Sequence, residues 1–210
     1  MIIVHHLENS RSQRVLWMLE ELGLPYEIKR YERDRKTMLA PPELRRVHPL
    51  GKSPVIVDTD DDHRVVAETG AIVEYLVDKA DGRLGAPATR DDALRYRFWL
   101  HYAEGSMMPP LLLKLVLGRI PLLGKRAQAK IQPMIDVHLG YVERELSQRP
   151  WFAGDAMTAA DIMMSFPLEA ARSRAGLDTS RPATIAWLDK VHARPAYQAA
   201  LAKGGPYAYA

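Results

Sequence analysis

The strongest constraint on the fold of this chain is a change of pattern near residue 90. Residues 1–80 alternate short β-branched runs with helical periods, whereas from residue 91 onward no strand pattern occurs. A strand-and-helix half followed by an all-helical half predicts two domains. In the first half, "MIIVHHL" reads as a buried strand, and "SRSQRVLWMLEELG" as a helix with Val15, Leu16, Leu19 and Leu22 at helical spacing. Gly23 closes that helix as a C′ glycine. "YEIKRYE" is a second strand, and "APPELRRVHP" is a short helix or turn opened by proline. "SPVIVDTDDDHRVVAE" reads as two strands around an Asp-rich turn, a hairpin, and "TGAIVEYLVDKA" as a helix. The order is βαβαββα, with a parallel crossover first and an antiparallel hairpin last, hence a mixed sheet packed by helices.

Residues 81–92 have the Gly, Pro and polar composition of a linker. Beyond it come a long helical pattern over "DDALRYRFWLHYAEGSMM", a second with Pro133 as its expected kink, a third from "TAADIMM", and one or two more after Pro182. The expected domains are therefore 1–80, with a sheet, and 93–210, all helical, joined by 81–92.

The chain has no cysteine, which excludes disulfides, thiolate metal sites and a cysteine nucleophile. Its net charge of +3 comes from mixed signs, even in "KRYERDRK", so a nucleic-acid partner is not expected. The first residues lack a signal-peptide pattern, and no run approaches the roughly 18 uninterrupted apolar residues of a membrane span. The expectation is a cytoplasmic protein with no membrane partner. The histidines are scattered and no H-E-x-x-H occurs, so no metal site is expected.

Four stretches carry candidate chemistry. In "ENSRSQR", Ser10 lies between a strand end and a helix start, where a hydroxyl caps the helix or faces an anion; Ser12 is the rival cap. In "GKSPVI", a proline opens a strand, which suits either a cis Ser53–Pro54 bond with outward backbone groups or a plain edge-strand proline. In "AETGAI", Glu68 and Thr69 precede a helix whose free amides suit a carboxylate, or serve only as a cap. In "GDAMTAADIM", Thr158 and Asp161 have capping-box spacing, with Met157 and Ile162 as a hydrophobic staple, and this stretch is structural. The run "YRFWLHYAEGSMMPP" is either core or the lining of an apolar cleft.

Taken in order, "SRSQRVLWMLEELGLPYE", "HPLGKSPVI", "ETGAIVEYL" and "WFAGDAMTAADI" resemble the soluble glutathione S-transferase family, in its serine-type, bacterial-like form. The likeness covers nearly the whole chain. It implies a thioredoxin-like N-terminal domain, an all-α C-terminal domain and glutathione as co-substrate, with no permanently bound cofactor. By resemblance, Ser53 before a cis Pro54 pairs its backbone with the cysteinyl part of glutathione, and Lys52 faces the glycyl carboxylate. Glu68 faces the γ-glutamyl ammonium, and Thr69, where the family has serine, faces its carboxylate. Many members activate the thiol with a tyrosine at the end of strand one, where this chain has His5, His6 and Leu7. Others use a serine four residues before an arginine, as Ser10 stands to Arg14. The resemblance thus implies Ser10 as thiol activator, with Ser12 as runner-up and the amides of Arg11 and Ser12 assisting. It also implies a cleft for a small apolar electrophile or hydroperoxide around Tyr102, Met107, Met108 and Pro109, and a homodimer. A non-catalytic glutathione-binding or regulatory protein on the same fold is the alternative.

Overall fold

The computed structural model describes residues 1–209. Contacts divide them into two units. The first holds Met1–Gly85 together with Ala193–Ala208, and the second holds Ala86–His192.

The first unit follows the expected order: β1 (Ile2–Leu7), α1 (Ser12–Leu22), β2 (Tyr26–Tyr31), a 3₁₀ turn at Pro42–Arg46, β3 (Val55–Asp58), β4 (Arg64–Ala67) and α2 (Thr69–Lys79). The sheet runs β2-β1-β3-β4. β1 pairs in parallel with β2 and antiparallel with β3, and β3 pairs antiparallel with β4. Gly23 ends α1 at φ 62°, a left-handed conformation that costs glycine nothing, and its N–H donates to the Glu20 carbonyl.

α1 is buried along nearly its whole length, from Ser12 to Leu19. An amphipathic helix on a sheet would keep one wet face. Here that face is covered by α8 (Pro195–Gly204), which packs on α1 in the first unit. The sequence pattern grouped α8 with the helical half, because packing between distant segments leaves no local signature. Trp17 meets Tyr197 edge to face at 5.4 Å, and the Glu21 carboxylate receives both the Trp17 indole N–H at 2.8 Å and the Arg194 guanidinium. The approach is close: a Cβ on Gly204 would lie 2.6 Å from Gln13 Oε1 and 3.0 Å from Leu16 Cδ1.

The second unit is helical: α3 (Arg90–Tyr102), α4 (Met108–Leu117), α5 (Gly124–Leu146), α6 (Ala159–Arg174) and α7 (Pro182–His192). α3 starts on a Thr89 cap, whose hydroxyl accepts from the Asp92 amide at 3.1 Å. The long helical pattern predicted from residue 91 is broken by a wide π turn at Ala103–Met107 before α4. Pro109 falls in the first turn of α4, where a missing N–H is tolerated. α5 stays one helix through Pro133. α6 is the core of the unit, buried from Ala159 to Ala171. It opens on the expected capping box: Asp161 accepts from the Thr158 amide at 2.9 Å and from its hydroxyl, and also from the Phe152 amide at 3.0 Å.

Candidate active site

The strand register brings three of the four candidate stretches to one end of the sheet. His5 stands opposite Val55, and Val55 opposite Ala67. One step beyond that row, the chain continues into Leu7 and the loop to Ser10, into Pro54 and Ser53, and into Glu68 and Thr69. The Ser53–Pro54 bond is cis, and the Ser53 hydroxyl donates to the His5 carbonyl at 2.8 Å, tying this turn to β1. Lys52 beside it is exposed and makes no ion pair among the described residues. Glu68, also exposed and without an ion pair, holds φ 71° and ψ 125° just before α2. A glutamate in that region is strained, and such strain gathers at functional positions. Thr69 is buried as the first residue of α2, and no side chain caps the helix. The first-turn amides of α2 are therefore uncapped and face anions favourably.

Ser10 and Ser12 differ sharply. α1 begins at Ser12, with Arg11 in the cap position. Ser12 is fully buried, and its hydroxyl lies 2.8 Å from His6 Nδ1, 3.2 Å from both the Leu7 amide and the Leu7 carbonyl, and 2.7 Å from Ser10 Oγ. His6 also hydrogen-bonds the backbone of Gly204, in the last turn of α8. A ring that donates to that carbonyl through its other nitrogen presents Nδ1 as an acceptor, so the Ser12 proton is drawn to His6. Ser12 then accepts from the Leu7 amide at 3.2 Å, and either hydroxyl serves as donor in the 2.7 Å bond between Ser10 and Ser12. Ser10 Oγ in turn accepts the Ser12 amide at 3.2 Å. Ser10 is itself buried and is held by these two contacts with Ser12. Burial, and then the Arg30 charge, push the His6 pKa down to about 4, so the ring is neutral near pH 7. His5 is likewise lowered, by burial and then by Lys29, and its Nδ1 meets the Tyr31 hydroxyl at 2.8 Å.

The electrophile candidates, all in the helical unit, do not share one lining. Tyr102 borders an open groove of about 540 Å³ with Val137, His138, Tyr141 and Arg144, its hydroxyl bonded to His138 Nδ1. Met107 and Met108 are buried in the core of that unit, and Pro109 is exposed.

Residues 10–79 match the glutathione S-transferase N-terminal domain, and residues 111–195 match the C-terminal domain. Glutathione S-transferase 3 of Schizosaccharomyces pombe is 37% identical, the match covering 97% of this chain and 88% of that protein. The chain belongs to the glutathione S-transferase family. A solved glutathione S-transferase from Actinobacillus pleuropneumoniae superposes with a TM-score of 0.85 at 36% identity, covering 97% of this chain and 93% of that one. A Phanerochaete chrysosporium glutathione transferase, solved with oxidized glutathione, gives 0.82 at 25% identity over 97% and 94% of the two chains.

Within this glutathione S-transferase, sequence reasoning missed three groups beside Ser10. Arg33 donates to the Glu8 and Asn9 carbonyls, both at 3.3 Å, while its amide donates to Glu8 Oε1 at 2.8 Å. It clamps the loop that carries Ser10, yet it lies in a mixed-charge run that reads as a solvated face. Asn9, at φ 47°, accepts the Ala208 amide at 2.7 Å. His6 was noted only as one of two adjacent strand histidines; nothing local marks its pairing with Ser12 and Gly204.

Proposed function

We propose that this glutathione transferase activates its co-substrate through Ser10, whose hydroxyl donates a hydrogen bond to the glutathione sulfur and favours thiolate over thiol. The supporting observation is the commitment of the Ser12 hydroxyl to His6 and Leu7. The amides at the start of α1, Arg11 and Ser12 among them, add a positive field. Lowering a thiol pKa by about two units corresponds to about 2.7 kcal/mol of preferential thiolate stabilisation.

In this reading the tripeptide lies extended across the end of the sheet. Its cysteinyl backbone pairs with Ser53 beside Pro54, its glycyl carboxylate meets Lys52, and its γ-glutamyl ammonium meets Glu68. The γ-glutamyl carboxylate meets Thr69 and the α2 amides. The exposure of Lys52 and Glu68, neither of them in an ion pair, suits groups that wait for a charged ligand. The thiolate then attacks a small apolar electrophile or a hydroperoxide. A homodimer and a cytoplasmic location follow from the family resemblance, and light scattering tests the first.

Ser10→Ala decides the reading. Turnover of an aryl halide should fall about a hundredfold, and the ultraviolet titration of bound glutathione should shift its thiol pKa back toward the free value. Retention on immobilised glutathione should persist. Unchanged turnover in Ser10→Ala would remove Ser10 from the chemistry.

A further inference from the structure

From Gly105 to Ile135 the chain has no aspartate or glutamate, yet it carries Lys114, Arg119, Lys125, Arg126 and Lys130. The chain overall has 29 Lys and Arg against 26 Asp and Glu, so five cations over 31 residues without an acid make this stretch a local asymmetry, longer than the acid-free runs at 44–57 and 190–210. It folds as α4, the connection 118–123 and the start of α5. Large apolar side chains face water all along it: Leu112, Leu113, Val116 and Ile120 are about half exposed, Leu123 is 64% exposed and Leu122 is 99% exposed. Leu122 also holds φ 63°, an uncommon conformation for a bulky residue. Arg119, Lys125, Arg126 and Lys130 are exposed and form no ion pairs among the described residues.

A helix-hairpin tip with leucines at its end, cations on both flanks and no acid in its own segment matches a surface that is anionic outside and apolar just beneath. An anionic bilayer has both layers. A nucleic acid offers the charge but no apolar layer for Leu122 and Leu123. No helix among the described residues is long and apolar enough to cross a membrane, so the contact would be peripheral. The expectation of no membrane partner rested on spanning length, which does not bear on a tip that dips into a surface.

We propose that the α4–α5 tip docks this transferase reversibly on anionic lipid bilayers. Ile120, Leu122 and Leu123 enter the boundary of the acyl region, while Arg119, Lys125 and Arg126 face the headgroups.

The test is co-sedimentation of the full chain with phosphatidylcholine vesicles, with and without phosphatidylserine, at low and high salt. Binding should require phosphatidylserine and weaken with salt. It should fall at least tenfold in Leu122→Asp/Leu123→Asp and in Lys125→Glu/Arg126→Glu, with glutathione-conjugating activity in solution retained by both as the folding control. A Leu122→Trp variant should show a blue-shifted indole emission on the same vesicles. Wild-type protein left in the supernatant at low salt would overturn the proposal, as would undiminished binding by the leucine variant. Absence of vesicle binding together with a lower light-scattering mass for the leucine variant would instead make this face a contact between copies.

Discussion

The carboxylate of Asp58, at the end of β3, accepts the Tyr75 hydroxyl and the Lys79 ammonium of α2, each at 2.7 Å. Asp58 is fully buried, while Lys79 keeps a quarter of its surface in water. Burial alone would raise the Asp58 pKa; the bonds from Lys79 and Tyr75 outweigh it and bring the value to about 2. The folded pKa lies below the unfolded one, so the stabilisation is present above pH 3.8 and is lost as pH falls through 2. Asp58→Asn should cost about 2 kcal/mol at pH 7. Lys79→Met should cost about 1–2 kcal/mol, because the buried carboxylate loses its nearest cation and keeps the Tyr75 hydroxyl, the Asp60 amide and the Met1 ammonium at 3.7 Å. In a double-mutant cycle the pair should show a coupling of about 1–2 kcal/mol from denaturant midpoints; additive losses would mean no direct pairing.

The α6 capping box is expected to be the main local anchor of the helical unit. Thr158→Ala should cost about 1 kcal/mol, the usual value of a lost cap. Asp161→Ala should cost more, about 3 kcal/mol, because it leaves the Phe152 and Thr158 amides without their buried acceptor. Equal losses in the two variants, measured by urea unfolding, would show that the Phe152 bond contributes nothing.

Stability in mild acid should carry a His6 signature. The folded ring has a pKa of about 4 against 6.5 in the unfolded chain, so between those values the unfolded state binds the extra proton. Stability therefore falls as pH drops from 6.5 to 4, by about 3 kcal/mol from this residue. Asp161 works the other way in an overlapping window: burial raises its pKa to about 6 against the bonds from Phe152 and Thr158, so its contribution grows as pH falls from 6. The difference between wild type and His6→Asn isolates the ring, and that gap should narrow by about 3 kcal/mol from pH 7 to pH 4. A constant gap would show that His6 is not depressed.

Gly204→Ala tests the seat of α8 on α1. The new methyl meets Gln13 Oε1 at 2.6 Å and Leu16 Cδ1 at 3.0 Å, and both side chains are buried. Overpacking costs about 1–3 kcal/mol and outweighs the better helix propensity of alanine, about 1 kcal/mol. The net result should be a less stable protein, with glutathione conjugation impaired because Gly204 also bonds His6. A stabilised variant would mean that the two helices yield easily.

Elements with short-range signals were legible in advance. The β-branched runs, the Gly23 stop, the hairpin turn at Asp58–Asp62 and the Thr158–Asp161 box each need only neighbours in sequence. Four such stretches in order also sufficed for the family. The π turn at Ala103–Met107 escaped because its residues suit an ordinary helix equally well. The roles of His6, Arg33 and α8 escaped for a different reason: each depends on a partner 6 to about 200 residues away, and only the fold selects that partner. The preference for Ser10 over Ser12 came from the family resemblance alone, since the hydrogen bonds of Ser12 to His6 and Leu7 join residues whose pairing the local sequence does not show.

The return of α8 to α1 also bears on synthesis. Residues 1–85 leave the ribosome early, but the outer flank of α1 and the acceptor for His6 are supplied only by residues 195–204. The thioredoxin-like half, although translated first, is therefore completed last, and until then the nascent chain exposes an apolar helix flank that a chaperone would recognise.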